Sequence, residues 1–356
     1  TGGFLVSCLK YMKKKIEERN DIEQDIASTQ EFFTVDAELK DYASKYVFGA
    51  DFDPFLIRAA QMNMVMAGDG NGHIYHVNSL EFPNGHLVDK IKQEEKDLKK
   101  KSGERIQEKL ALGSFDIVMT NPPFGSDIPI TDPSILKQYE LAHAWEPDGE
   151  GGFRNTGNAK GSVAPEILFI ERCIKWLKPG TGRMGIVLPD GVLGNPAAEY
   201  IRWWIMRETQ VLASVDLPVE AFIAEANVNI LTSLLFLRRK SEEEKRAEAL
   251  GGIDEYPVFM AVADKVGFDR RGNKLYKRTP DGEEIVEPKQ HVERIRIGGR
   301  FVERTLTRGE KIEDNDLPVI AEKYREFLSE NDGRTPTKRS SPSRTHERPA
   351  NKVASR

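Results

Sequence analysis

The chain has 356 residues, 39% of them hydrophobic, with a formal net charge of −5 at pH 7 and two cysteines. That apolar content suffices for two domains or for one large α/β domain with additions, and the acidic balance argues against a surface that binds nucleic acid everywhere, though not against a local cleft. Cys8 and Cys173 are too few for a disulfide framework or a zinc cluster, no segment approaches the apolar length needed to span a bilayer, and no secretory leader is visible, so a cytoplasmic protein without membrane contact is expected.

In chain order, Thr1-Gly2-Gly3-Phe4-Leu5 runs into Leu9, Met12 and the basic run Lys13 to Lys15, which predicts a helix entered through a glycine turn. Such a turn lets a ligand approach the backbone, and a helix N-terminus favours a negative group, although a Gly-Gly pair also starts inert helices. Opening on Thr1 instead of Met, the chain is expected to be a fragment. Tyr46 to Asp51 predicts a short strand ending in an acid, placed as a ribose ligand would be in a doubly wound sheet. Asp53 before Pro54 is the better helix cap. His73 to Leu80 predicts a third strand, whose polar end, Asn78 and Ser79, either meets an adenine edge or caps a turn. His73 and His76 read as structural, so no metal is expected. Residues 88–110 are dominated by mixed Lys, Glu and Asp and predict a solvated helical excursion.

The stretch with the most chemistry is Phe115 to Gly125, an apolar strand that stops at Asn121-Pro122-Pro123-Phe124. Two prolines stiffen the loop, because each fixes its own φ and biases the residue before it toward extended backbone. The Asn121 amide oxygen and the Pro122 carbonyl are two acceptors able to converge on one planar amino group, and Phe124 offers a face on which the ring bearing that group can stack. Engaging both amino hydrogens favours a pyramidal, more nucleophilic nitrogen. The competing reading is an ordinary proline-rich turn.

Residues 126–163 are glycine-rich and polar without a clear period, which predicts a mobile lid or substrate loop, with disorder as the rival. Pro165 to Leu177 predicts an amphipathic helix stopped by Pro179-Gly180, and Gly185 to Pro189 a strand turning at Asp190-Gly191. A helix over 197–208 and strands over 211–217 and 230–237 follow, the latter two separated by a loop holding Phe222 and Asn227. This alternation predicts a Rossmann-like, doubly wound, mostly parallel sheet with its ligand at the carboxyl ends of the strands. Beyond Arg238 the chain is charged. Residues 259–266, 273–276 and 292–301 predict a small β-rich appendage, Leu317, Ile320, Tyr324 and Phe327 a packing helix, and the tail from Asn331 is too polar to order.

Taken together, these residues resemble the N6-adenine DNA methyltransferases, specifically the modification subunit of type I restriction–modification systems. Thr1 to Leu5 resembles the end of that family's cofactor motif, with the first strand missing; Gly49-Ala50-Asp51 matches its ribose-binding acid; and Asn121 to Phe124 matches its catalytic motif. Leu177 to Leu193 resembles its later strand and turn. The family usually has aspartate where Asn78 stands.

The resemblance implies S-adenosyl-L-methionine as cofactor, bound by Thr1, Gly2, Gly3, Asp51, Asn78 and Asn121, and an adenine flipped out of double-stranded DNA as acceptor. Asn121, Pro122 and Phe124 become the catalytic residues, with methyl transfer by positioning and without a covalent intermediate. It further implies a specificity subunit and a motor or restriction subunit as partners. The expected division is a class I methyltransferase domain over 1–240, an appendage over 241–330 and a disordered basic tail over 331–356. Two other readings are a methyltransferase of an RNA base or protein glutamine, and a non-catalytic assembly subunit.

Overall fold

A computed structural model describes residues 2–20, 29–68, 73–81, 109–125, 128–226, 229–251, 255–297 and 300–331. Thr1, most of the 88–110 excursion and the tail beyond Asn331 therefore lie outside the described residues.

The amino-terminal part holds helices α1 (Gly3–Arg19) and α2 (Thr29–Tyr46), strand β1 (Phe48–Asp51), helix α3 (Pro54–Met66) and strand β2 (His73–His76). Asp53 caps α3, accepting from the backbone N–H of Phe55 and Leu56, with Pro54 at the first helical position. Gly2 precedes α1 at φ 77°, and a Cβ there would stand 3.1 Å from Cβ of Ala60, so only glycine fits this close approach of α1 to α3. The helix α2 has no counterpart among the predicted elements. Its buried positions Val35, Leu39 and Ala43 form only a narrow stripe between charged residues, but that stripe completes the core made by Leu9, Ile57, Met64 and Ile74.

Next come β3 (Ile117–Thr120), the short helix α4 (Pro133–Leu136), the hairpin β4 (His143–Pro147) and β5 (Phe153–Ala159), helix α5 (Pro165–Trp176) and strand β6 (Arg183–Pro189). Helices α6 (Asp190–Gly194) and α7 (Glu199–Glu208), strand β7 (Thr209–Leu217), helix α8 (Glu220–Ala226), strand β8 (Thr232–Arg239) and helix α9 (Glu242–Ala249) follow. Strands β9 (Phe259–Val262), β10 (Val286–Ile297) and β11 (Arg300–Lys311) and helix α10 (Leu317–Asn331) close the described chain.

The main sheet has the order β3-β6-β8-β7-β9. Strands β3, β6, β7 and β9 run one way and β8 alone is reversed, so the sheet is mostly parallel as expected. Both faces are covered. Leu235 and Leu237 of β8 join the core cluster with Ile170 and Ile174 of α5 and Trp204 of α7, while Phe236 between them stacks on Tyr324 of α10 at 6.5 Å. Strands β1 and β2 pair in parallel with each other, and Phe48, Tyr75, Val77, Phe115, Val118 and Trp176 pack them beside β3.

Two expectations are corrected. The region 126–163 is not an aperiodic lid, because from Ile130 onward it is packed. The backbones of Ile130 and Val163 exchange hydrogen bonds, Leu141 and Ala142 are fully buried, and Trp145 of β4 stacks on Tyr200. Apolar residues are few there, yet Ile135, Leu136, Tyr139, Leu141, Ala142 and Val163 are all buried, which a count of glycines hides. Phe259–Val262 belongs to no separate appendage: it hydrogen-bonds to β7, and its Phe259 packs against Tyr324 and Phe327 of α10. Among the described residues no helix is long and apolar enough to cross a membrane.

Burial pushes the Cys173 thiol up to about 12, and the half-buried Cys8 thiol is also raised. Because the thiolate is the reactive form, a disulfide reagent at pH 8 should label Cys8 first and reach Cys173 only after denaturant is added; equal rates in the native protein would contradict this packing.

Candidate active site

The loop Asn121-Pro122-Pro123-Phe124-Gly125 leaves the carboxyl end of β3, which lies on β6 with Thr120 opposite Ile186. Asn121 is exposed and its side chain makes no hydrogen bond to a described residue, whereas Pro122 is buried. The stiff dipeptide thus anchors the loop while presenting the asparagine amide outward. Phe124 meets Phe222 of α8 edge to face, with centroids 5.9 Å apart, so the face of one ring is set by the edge of another.

Helix α5 holds this loop from behind. Glu166, in its first turn and only 6% exposed, accepts the Gly125 N–H through Oε2 at 3.3 Å. Six residues on, Arg172 is 1% exposed; its Nη2 donates to the Leu80 carbonyl at 3.3 Å and its Nε to the Tyr139 hydroxyl at 2.8 Å. Tyr139 in turn donates to the same Leu80 carbonyl at 2.7 Å, and Gln138 donates to the Glu81 carbonyl at 3.1 Å. At 1.5 Å of rise per residue the two anchor points are about 9 Å apart along one helix. The loops that follow β2 and β3 are therefore bolted to a single element. Glu171, fully buried between these anchors, accepts the backbone N–H of Glu140 and Leu141 and pairs with Lys175.

The remaining predicted positions fall around the same edge. Asn78 caps its own turn: its Oδ1 accepts the Leu80 N–H at 3.1 Å and its Nδ2 donates to Glu81 at 3.0 Å, leaving Oδ1 one further lone pair. Asp51, closing β1, accepts the Asp53 N–H through Oδ1 at 2.9 Å, and its other oxygen bonds to no described residue. Gly2 and Gly3 open α1, and at Gly3 nothing stands within 4 Å of where a Cβ would be, so that helix start is open to a ligand. Thr1 lies outside the described residues. The carboxyl edge also holds Asp190 and Asp216, whose Oδ1 atoms lie 3.1 and 3.3 Å from Ser233 Oγ; a single hydroxyl donates to one of them at a time.

Glu166, Arg172 and Phe222 were given no role from the sequence. The available signal was charge at inward positions of an otherwise apolar helix, in the run Pro165 to Trp176.

The N-6 DNA Methylase family profile matches residues 1–266, and the chain belongs to that family. It is 24% identical over 291 residues to the StySPI type I restriction enzyme methylase subunit of Salmonella potsdam, which covers 81% of this chain and 42% of that protein. It is likewise 24% identical over 294 residues to the EcoKI methylase subunit of Escherichia coli K12, covering 82% and 43%. The chain thus spans less than half the length of either relative. Against the crystal structure of the EcoKI M protein the TM-score is 0.43 at 16% identity, over 92% of this chain and 64% of that one.

Two predictions follow from the geometry. Glu166→Ala removes the carboxylate acceptor of the half-buried Gly125 N–H, which should cost about 1 kcal/mol of local stability, read as faster amide exchange in the loop. Glu166→Gln, which keeps an acceptor oxygen, should restore most of the protection; equal loss in both variants would contradict the hydrogen-bond role. Asp190 is held above the usual carboxylate range by burial first and by Asp216, against the pull of Ser233. A raised folded pKa means the stabilising contribution is present below the unfolded value and lost as pH rises. Asp190→Asn should therefore raise the thermal midpoint at pH 7, with the difference shrinking toward pH 4; an equal shift at both values would refute the coupling.

Proposed function

We propose that this chain transfers a methyl group from S-adenosyl-L-methionine to the N6 amino group of an adenine flipped out of double-stranded DNA, as the catalytic part of a type I modification subunit. The observation that carries this reading is the exposed Asn121 amide beside the buried Pro122, on a loop whose Phe124 ring is oriented by Phe222. Membership of the N-6 DNA methylase family supports it.

The cofactor supplies an activated methyl group when bound. Gly2 and Gly3 fit its carboxylate end, since the N-terminus of α1 is open there and carries unpaired backbone donors. The outward oxygen of Asp51 suits a ribose hydroxyl, and the remaining lone pair of Asn78 an adenine amino group. Thr1 belongs to the same set by its place in the motif.

On the acceptor side, Phe124 stacks on the extruded base while Asn121 Oδ1 and the Pro122 carbonyl each accept one amino hydrogen. This holds the nitrogen pyramidal with its lone pair free for the methyl carbon. The surplus proton leaves the nitrogen through the same acceptors to water. No side chain here has to be a nucleophile. Extrusion costs a few kcal/mol of stacking and pairing, which ring contact and the two acceptor bonds must offset. The relatives are methylase subunits of type I restriction enzymes. By that likeness we extend to this chain a specificity subunit that selects the site and a motor subunit that restricts unmodified DNA.

Asn121→Ala should lower methyl transfer to DNA by about a hundredfold or more while leaving the calorimetric affinity for S-adenosyl-L-methionine nearly unchanged. Labelled methyl should appear on DNA and not on RNA or protein. Retained transfer in the variant, or label on another acceptor, would overturn the proposal.

A further inference from the structure

The two prolines that stiffen the reactive loop stop short of its ring. Pro122 and Pro123 fix their own φ and each biases the residue before it, so the restraint covers Asn121 to Pro123. Phe124 is followed by Gly125, which stands at φ 114°, a region open to glycine and to few other residues. Nothing in the local sequence therefore fixes the peptide that joins them. The edge of Phe222 meets Phe124 at 5.9 Å, but ring pairs of this kind range from about 4.5 to about 7 Å apart, so that contact alone leaves the ring room to shift.

Glu166 supplies the missing restraint. Its Oε2 accepts the Gly125 N–H at 3.3 Å, and because that N–H shares a plane with the Phe124 carbonyl, holding it fixes the orientation of the 124–125 peptide from which the ring projects. The carboxylate sits there at a cost. It is 6% exposed, and among the described residues it pairs with no cation and accepts no other hydrogen bond. Glu171, on the same helix, pairs with Lys175 and accepts two backbone N–H groups. A carboxylate buried with as little compensation as Glu166 is expensive even where the first turn of a helix favours it, so the packing of α5 does not account for it. Its one bond to a described residue lies on the loop that takes the base.

We infer that Glu166 is a positioning residue for methyl transfer: it holds the 124–125 peptide so that Phe124 presents the extruded adenine to Asn121 and to the methyl donor. The inference rests on the reading of the chain as a DNA methyltransferase and deepens it. In this role Glu166 touches neither the base nor the cofactor. Its effect falls on the placement of the acceptor, where small displacements of a reacting group are expensive in rate.

The test uses the whole chain and a duplex carrying one adenine opposite an abasic site, which lowers the cost of extrusion and needs no knowledge of the natural target. Glu166→Ala should lower kcat for labelled methyl transfer by about tenfold or more while the KM for S-adenosyl-L-methionine stays within about twofold, and Glu166→Gln, which keeps an acceptor oxygen, should recover most of the rate. Glu166→Asp keeps the charge but withdraws the oxygen by one methylene, and should lose rate as the Ala variant does. With 2-aminopurine in place of the adenine, the Ala variant should emit more strongly than the wild type at saturating protein, since the extruded base is no longer held against the ring; this readout needs no turnover. Unchanged kcat in a folded Ala or Asp variant, emission equal to that of the wild type, or equal loss of rate in Gln and Ala would overturn the positioning role. Should the Ala variant fold poorly by thermal melting, the Asp and Gln pair decides, with loss expected in the first and not in the second, and the same rate in both overturning the role. Transfer to DNA that depends on Asn121 but is indifferent to position 166 removes this inference alone, whereas a wild type whose label goes to another acceptor, or to none, removes the enzymatic reading and the inference with it.

Discussion

The candidate site depends on one helix carrying buried charge. Glu166, Glu171 and Arg172 of α5 are each at most 6% exposed, and each is spent on the backbone or side chains of a loop rather than on a partner in solvent. Removing one partner from such a buried network costs about 3–5 kcal/mol, because the other is left uncompensated. That penalty makes the geometry stiff. The Asn78–Glu81 turn and the Asn121–Gly125 loop, which belong to different sheets, can then be held in a fixed relation although no strand among the described residues joins those sheets.

Around this helix the other constraints act in sequence. Hydrophobic packing of Ile170, Cys173 and Ile174 presses α5 onto Met184, Ile186 and Leu188 of β6, so the charged positions at its amino end come to lie along the carboxyl edge of the sheet. That edge is where strands deliver chemistry in an open α/β sheet. Phe222 reaches the same loop from the far side on α8, and the hairpin β4–β5 is fastened by the Trp145, Tyr200 and Trp203 rings. The amide of Asn121 is left as the exposed polar group on an otherwise restrained loop. This is the arrangement a preorganised acceptor requires, since little ordering then remains to be done during reaction.

Much of this was legible in the sequence where the cause is local. Two consecutive prolines after an apolar run announce a stiff loop, Asp53-Pro54 announces a helix start, and Leu317 to Phe327 announces a helix by its spacing; each appears where expected. What stayed hidden has distant causes. The bond from Glu166 to Gly125 spans 41 positions and that from Arg172 to Leu80 spans 92, and no periodicity marks such pairs. The glycine-rich stretch after the loop read as aperiodic because its order comes from burying a few isolated apolar residues and from carboxylate Glu171. Phe259–Val262 read as part of an appendage because the charged residues before it conceal that β7 has a free edge to receive it.

The central claim is that α5 couples the two loops. Hydrogen exchange of the folded protein, compared between wild type and Arg172→Met, tests it most directly, because Arg172 bonds to Leu80, Tyr139 and Gln138, whereas the Gly125 N–H is held by Glu166. The account predicts that peptides covering 78–81 and 121–125 lose protection together, with the rest of the main sheet unaffected. Loss confined to 78–81, with 121–125 protected as in the wild type, would show that the two loops are positioned independently and would contradict it.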